Sequence, residues 1–176
     1  MTLDERLTAW LGQNYQDVFH ATILRRYDTE EEQRSSGDVR VATEHGERNI
    51  EEKASGVAEE RWLDDCLLEL IQAAEGAWEE RKTRGWFYDL HNCDFLLNGY
   101  FYPSDSATPS VVRILRWKKT RDAALRMIRD GAQLRTHWVR KGFGLTLCMY
   151  VPYSSLRDCI AAEWAVDDKY LLAKVA

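Results

Sequence analysis

The spacing of apolar residues changes at Gly85, and this change constrains the fold more than any other feature of the chain. Before Gly85 the clearest pattern repeats every three or four residues, as in a helix, whereas short apolar runs typical of strands follow it. The two patterns do not alternate regularly. The sequence therefore predicts an α+β fold, with N-terminal helices packed on a mostly antiparallel sheet and a strand–helix–hairpin–helix C-terminal part. The length of 176 residues predicts a single domain.

Two helices are predicted in the first half of the chain. Thr2 and Glu5 form a capping box, which places a short amphipathic helix over 3–12 with Gly12 at its end. A longer apolar stripe predicts a helix within 57–84. That stripe consists of Leu63, Leu67, Leu70, Ile71, Ala74 and Trp78.

The region between these helices is less regular. Residues 18–24 are rich in apolar, partly β-branched side chains and favour a strand over a helix. Residues 28–56 carry few apolar side chains and many acidic ones. We therefore expect a long mobile acidic loop over 28–56.

Strands and two helices are predicted after Gly85. The predicted strands are 86–88, 95–102 with a turn at Asn98-Gly99, 111–117, and a hairpin made of 134–140 and 145–151. The predicted helices are 121–130, capped by Thr120, and a last one that starts at Ser154 or Ser155 and carries Leu156, Cys159, Ile160 and Trp164.

A strongly basic segment lies inside an acidic chain. The formal net charge is −5, yet residues 111–141 contain ten Lys and Arg and only two acidic residues. Such a segment either binds an anionic partner or pairs with acidic parts of the same chain. The cations could contact phosphates and the tryptophans could stack on unpaired bases, so direct nucleic-acid binding is one hypothesis. The candidate residues are Arg113, Arg116, Trp117, Lys118, Lys119, Arg121, Arg126, Arg129, Arg135, Trp138, Arg140 and Lys141.

The acidic residues of the predicted 57–84 helix suggest the converse hypothesis. An ordered array of carboxylates can imitate a phosphate backbone and inhibit a nucleic-acid-handling protein. An ordinary solvated helix face explains the same residues, and the sequence favours that explanation. The candidates are Asp64, Asp65, Glu69, Glu75, Glu79 and Glu80.

Histidine and cysteine residues give a weaker indication of chemistry. A small enzyme site could use His91, Cys93, Asp94 and His137, with the thiol as nucleophile and an imidazole as base. His91 and Cys93 could also bind zinc together with His137 and Cys148, but no paired CxxC spacing supports a metal site. The hypothesis favoured by the sequence is a buried cysteine beside a hydrogen-bonded histidine.

Asp38 and the run Glu51-Glu52-Lys53 follow the D…ExK order of metal-dependent nucleases. That chemistry requires the carboxylates and the lysine to be held together on a buried strand edge. The surrounding residues are polar, contain Gly and Ser, and are poor in β-branched side chains. The sequence therefore favours a charged loop that leads into a helix.

No motif is strong enough to name an enzyme, a metal or a cofactor. We expect a non-catalytic cytosolic interaction module, of the adaptor or inhibitor type, that docks on a protein partner through charged and aromatic surface, with nucleic acid as the alternative partner. No apolar segment reaches the length of a membrane span, and the N-terminus lacks a secretory pattern. The four cysteines lie far apart, which favours reduced thiols in the core.

Overall fold

The computed structural model describes residues 1–57, 63–74, 82–141, 144–166 and 171–174. Its α-helices are α1 (Leu3–Phe19), α2 (Glu30–Ser36), α3 (Trp86–Asp89) and α4 (Trp117–Arg129). Its strands are β1 (Thr22–Arg26), β2 (Val39–Thr43), β3 (Gly46–Gly56), β4 (Asp65–Ala74), β5 (Lys82–Arg84), β6 (Phe95–Phe101), β7 (Val111–Arg116), β8 (Arg135–Lys141), β9 (Gly144–Pro152), β10 (Ile160–Val166) and β11 (Leu171–Lys174). The predicted α+β class is confirmed.

The described strands form two sheets. The larger sheet has the order β1-β2-β3-β6-β7-β10-β11, and the smaller has the order β5-β4-β9-β8. β3 and β6 run parallel, whereas the other neighbouring pairs in both sheets are antiparallel. β3 is therefore an inner strand of the larger sheet, and its residues Ile50, Glu51 and Glu52 are buried.

Helix α1 covers one face of the larger sheet. The predicted capping box is present, because Thr2 Oγ1 accepts from the Glu5 N–H and Glu5 Oε2 accepts from the Thr2 N–H at 2.7 Å. The helix continues through Gly12 to Phe19, and its apolar stripe of Leu7, Leu11 and Tyr15 packs on the sheet. α3, α4 and the smaller sheet pack on the other face.

Residues 65–74 form strand β4 instead of the predicted helix. Cys66 and Leu68 are buried in the core, as a two-residue period requires. The pairing with β9 then shifts register between Glu69 and Ile71. Because such a bulge interrupts the alternation, an apolar run on a bent strand can imitate helical spacing. The segments 58–62 and 75–81 of the predicted helix lie outside the described residues.

Residues 28–56 form α2, β2 and β3, whereas we expected a mobile loop. The polar side chains of β3 misled the prediction, because they are buried with partners from other elements. The predicted strand over 86–88 is the short helix α3, whose Trp86 and Phe87 rings pack against Trp117.

Two further predictions after Gly85 are wrong. Asn98 and Gly99 lie inside the continuous strand β6 instead of at a hairpin turn, because the Asn98 amide donates to the Tyr153 hydroxyl at 2.8 Å within the core. The predicted last helix is replaced by the turns Tyr153–Ser155 and Arg157–Cys159 and by strand β10. β10 pairs with β7 and thereby satisfies the backbone groups of an otherwise open edge.

The predictions for β7, for the β8–β9 hairpin and for the cysteines agree with the structure, whereas α4 begins earlier than predicted. β7 covers the predicted 111–117 strand, and β8 and β9 form the predicted hairpin. Helix α4 starts at Trp117, before Thr120, whose hydroxyl donates to the Arg116 carbonyl instead of capping the helix. All four cysteines are buried free thiols, as predicted. Within the described ranges, no helix is long and apolar enough to cross a membrane.

The contact between α1 and β6 can be tested with two glycine substitutions. A Cβ atom at Gly99 would lie 2.5 Å from Leu7 Cδ1, so Gly99→Ala should lower the free energy of unfolding by about 1–3 kcal/mol through overpacking. At Gly12, inside α1, a Cβ atom would meet nothing within 4 Å. Gly12→Ala should therefore raise that free energy by about 0.5–1 kcal/mol. Urea unfolding followed by circular dichroism measures both, and an unchanged stability of Gly99→Ala would contradict the packing.

Candidate functional site

A cleft with several charged residues among apolar ones opens beside α1 and the two sheets. It has a volume of about 880 Å³. The larger sheet contributes Lys53 and Tyr100 to its lining, the smaller sheet contributes Glu69 and Tyr150, and Asp38 lies at the start of β2. Charged side chains from both sheets therefore face one space that is accessible to solvent.

Asp38 is fixed in place by the backbone around it. Gly37 has a φ of 95°, and a Cβ atom there would lie 2.7 Å from the Ile50 carbonyl oxygen, so only glycine fits. The Asp38 N–H donates to that same carbonyl at 2.9 Å, and Asp38 Oδ2 accepts from the Glu52 N–H at 2.7 Å. No described residue donates a hydrogen bond to Asp38 Oδ1, so one oxygen of this carboxylate remains available at the cleft.

Strand β3 sends its charged residues to opposite faces of the sheet. Glu51 and Lys53 share the face toward the smaller sheet, as residues two apart on a strand must. Glu51 is only 3% exposed and forms an ion pair with Lys53. The Lys53 side chain is 25% exposed, lines the cleft, and lies with Nζ 5.4 Å from the centre of the Trp86 ring. Lys53 therefore connects the buried Glu51 carboxylate to the cleft.

Glu52 also lines the cleft, but it lies on the face of β3 that packs on α1, and its carboxylate is occupied by protein donors. Its Oε1 accepts from the Tyr15 hydroxyl at 2.6 Å, and its Oε2 accepts from Arg26 at 2.8 Å. Both carboxylate oxygens are therefore used by protein donors. Glu52 ties β3 to α1 and β1, and we assign it a structural role.

The charges around Lys53 shift the pKa values of Glu51 and of Lys53 itself. Burial raises the pKa of Glu51 to about 7, although Lys53 opposes this effect; the negative charges of Asp38 and Glu69 raise the pKa further. Burial lowers the pKa of Lys53, but Glu51, Asp38 and Glu69 outweigh this and raise the pKa above its ordinary value. Lys53 is therefore a permanent cation at neutral pH, and the neighbouring carboxylates repel one another.

The predicted acidic surface is not a single exposed helix face. Asp64 is exposed, Asp65 is half-buried and pairs with Arg135 at 2.8 Å, and Glu69 is buried at 3% exposure. Glu75, Glu79 and Glu80 lie outside the described residues. Glu69 belongs instead to the cleft, where its charge acts on both Glu51 and Lys53.

The basic segment is divided among several environments. Arg113 is buried, pairs with Glu163, donates to the Leu63 carbonyl, and stacks over the Tyr153 ring at 4.2 Å. Trp117 is buried in the core, so it is not available for stacking on bases. These residues were predicted to bind a partner and are structural.

Other cations of the segment also contact this chain. Arg116 donates to the Ile160 carbonyl at 2.9 Å, and Arg121 donates to the Tyr88 carbonyl at 3.3 Å. Arg135 and Arg140 are exposed on β8, where Arg135 also stacks over Tyr150, and Trp138 is half-buried. The side chain of Lys141 lies outside the described residues. Lys118, Lys119, Arg126 and Arg129 are exposed on one helix, α4.

The predicted histidine and cysteine site is not assembled. Cys93 is buried and donates to the Phe95 carbonyl at 3.0 Å, whereas His91 and Asp94 are exposed. His137 is exposed on β8 of the smaller sheet, so it does not share a site with Cys93. Among the described residues, no group of three or more His, Cys, Asp or Glu side chains could hold a metal ion by itself.

The structure instead brings together the residues of the D…ExK order. Asp38 and Glu51-Glu52-Lys53 lie on the paired strands β2 and β3 or at their start, not in a loop. The sequence showed this order, but the polar neighbours argued against a strand. The burial comes from α1 and from the parallel neighbour β6, which are not local in sequence.

No protein-family model matches this chain, and searches of curated proteins and of solved structures found no match either. The geometry of the cleft is therefore the basis for assigning a function. Its three features are an available carboxylate oxygen on Asp38, the buried Glu51 carboxylate, and the Lys53 ammonium group that connects them to solvent.

The raised pKa of Glu51 predicts a pH-dependent stability. The folded-state value of about 7 is above the ordinary value of 4.5. The stability contributed by protonation of Glu51 is therefore fully present below about pH 4.5 and is lost as the pH rises through about 7. Relative to Glu51→Gln, wild type should lose up to about 3 kcal/mol of unfolding free energy between about pH 5 and pH 8. Urea unfolding across this range measures the difference, and a constant difference would contradict the buried position of Glu51.

Proposed function

We propose that the protein is a divalent-metal-dependent nuclease that hydrolyses phosphodiester bonds in nucleic acid. The observation that carries the proposal is the position of Asp38, Glu51 and Lys53 on neighbouring segments of one sheet, beside a cleft of about 880 Å³. Two carboxylates and a lysine are a common combination for phosphoryl chemistry, because the substrate and its transition state are anionic.

Asp38 at the cleft and Glu51, buried behind Lys53, offer carboxylate oxygens that suit a hard cation such as Mg²⁺. Mg²⁺ prefers oxygen ligands and is usually held by one or two carboxylates, with water and substrate phosphate as its other ligands. Asp38 offers an oxygen that no described residue occupies, and Glu51 lies close enough for the two negative charges to interact. A cation held by these residues would offset the charge of Asp38, which adds to the effect of burial on the pKa of Glu51. We therefore assign Asp38 and Glu51 as the metal ligands.

The reaction is hydrolysis. The oxygen of a water molecule bonds to phosphorus and gives up one proton to solvent, the bond from phosphorus to one ester oxygen breaks, and that oxygen takes up a proton from solvent and leaves as an alcohol. A bound Mg²⁺ supplies charge neutralisation at the phosphate and a more acidic water. Lys53, a permanent cation at the cleft, stabilises the negative charge that develops on the phosphoryl oxygens.

Cleavage assays on supercoiled plasmid, single-stranded DNA and RNA test this function. We expect cleavage of at least one substrate with Mg²⁺ or Mn²⁺ and none with EDTA. Asp38→Asn, Glu51→Gln and Lys53→Met should each lower kcat/KM by about 10²-fold or more, because each removes a preorganised charge. Asp38→Asn is the most informative of the three, since the amide oxygen can still accept the Glu52 N–H.

Two controls test whether a loss of cleavage could arise from a general effect of substitution or from unfolding. Asp64→Asn changes an exposed carboxylate outside the cleft and should retain full cleavage. Thermal unfolding must show that Asp38→Asn is folded. A wild-type protein that cleaves no substrate, or an Asp38→Asn variant that cleaves as well as wild type, would contradict the nuclease function.

A second candidate is a non-catalytic interaction module that docks on a protein partner. Leu125 and Ile128 favour it, because they are 38% and 42% exposed on α4 beside the exposed cations. Exposed apolar side chains with a charged surround are typical of docking surfaces. This candidate predicts no hydrolysis by wild type and no effect of the Asp38 substitution on partner binding.

A further inference from the structure

The outer face of α4 carries a cluster of exposed cations. Lys118, Lys119, Arg126 and Arg129 are all exposed, whereas Trp117, Thr120, Ala123 and Ala124 are buried on the opposite face. This division follows from the helical period, which places residues three, four and seven apart on one side. Asp122 is the one acidic side chain among the helix residues Trp117–Arg129. The helix therefore presents a surplus of positive charge to solvent.

Three of these cations are not used by the described part of the protein. Arg129 pairs with Asp130 at 2.8 Å, but Lys118, Lys119 and Arg126 form no ion pair with any described residue. This distinguishes them from Arg113 and Arg135, whose charges are satisfied by Glu163 and Asp65. A cluster of cations without internal partners repels itself and favours an anionic ligand.

Buried aromatic rings connect the first residue of α4 to Lys53 of the cleft. The Lys53 ammonium group lies over the Trp86 ring, and the centre of that ring is 5.3 Å from the Trp117 ring. Trp117 is the first residue of α4 and is directly followed by Lys118 and Lys119. This connection runs through the core, and no residue of α4 lines the cleft.

The spacing along the helix suits a double-stranded ligand. Arg126 is seven and eight residues beyond Lys119 and Lys118, which corresponds to about 11–12 Å along the axis at 1.5 Å per residue. The major groove of duplex DNA is about 12 Å wide. Cations at the two ends of this face can therefore contact phosphates on both sides of one groove, with the exposed Asp122 between them and Leu125 beside Arg126.

We propose that the outer face of α4 is the duplex-binding surface of this protein, which binds a double-stranded DNA backbone. The purpose of this surface rests on the proposed nuclease function, but duplex binding can be measured without catalysis. It also narrows the basic segment from twelve candidate residues to three: Lys118, Lys119 and Arg126.

Fluorescence anisotropy with a labelled DNA duplex in EDTA tests the proposal, because EDTA prevents cleavage. The change is the triple variant Lys118→Ala/Lys119→Ala/Arg126→Ala, which keeps good helix formers on α4. Each phosphate contact contributes about −0.9 to the slope of log K against log salt concentration. The variant should bind more weakly at low salt, and its slope should be shallower than that of wild type by about 2.7.

A matched control changes three arginines away from α4. Arg40→Ala/Arg48→Ala/Arg140→Ala alters the net charge by the same amount and should keep the wild-type slope. Equal slopes for wild type and the α4 variant, equal losses in both variants, or tighter binding of a single strand than of the duplex would each overturn the proposal. Absence of duplex binding by wild type would overturn it as well and would favour a protein partner.

The two proposals fail separately. If wild type cleaves nucleic acid but the α4 variant keeps its salt slope, the binding surface is wrong and the nuclease function stands. If wild type binds duplex through α4 but no metal supports cleavage, the nuclease function is wrong and the binding surface stands.

Discussion

Three consecutive charged residues, Glu51, Glu52 and Lys53, lie on a strand in the middle of the larger sheet, and the surrounding structure is organised around them. A strand directs neighbouring side chains to opposite faces, so the protein must satisfy buried charge on both sides. An unpaired buried charge costs several kcal/mol. Tyr15 of α1 and Arg26 of β1 meet this need on one face and thereby fix α1 and β1 relative to β3.

The two faces of β3 differ in how completely their charges are satisfied. On the α1 face, the two oxygens of Glu52 meet two protein donors, which is the arrangement of a structural ion pair. On the cleft face, the charges of Glu51, Asp38 and Glu69 all act on the Lys53 ammonium group. Such crowding of carboxylates is unfavourable in isolation, and a cation from solution would relieve it. This difference is why we place function on one face and stability on the other.

The sequence predicted those elements whose stabilising signals are local. The capping box of Thr2 and Glu5, the apolar run of β7 and the β8–β9 hairpin all depend on residues close together in the chain. β4 and β10 were not predicted, because their pairing partners are distant in the sequence. β4 has a bulge opposite β9, and β10 pairs with the otherwise open edge of β7. In both cases the sheet overrides the local propensity of the segment.

The same distinction applies to the site. The D…ExK order can be seen in the sequence, but it indicates a site only if β3 is a buried strand. The polar composition of residues 28–56 argued against a buried strand there. That burial comes from α1 and from the parallel partner β6, whose residues are more than forty positions away from their partners in β3.

The sequence also showed the positive charge of residues 111–141, but it did not show how the fold distributes these cations. The segment passes from β7 into α4 at Trp117, and this boundary separates paired cations from exposed ones. In β7 the side chains alternate between faces, so Arg113 is buried with Glu163. In α4 the helical period collects Lys118, Lys119 and Arg126 on the solvent side. The net charge of residues 111–141 therefore overstates how many cations are available to a partner. The proposed binding residues all lie on α4.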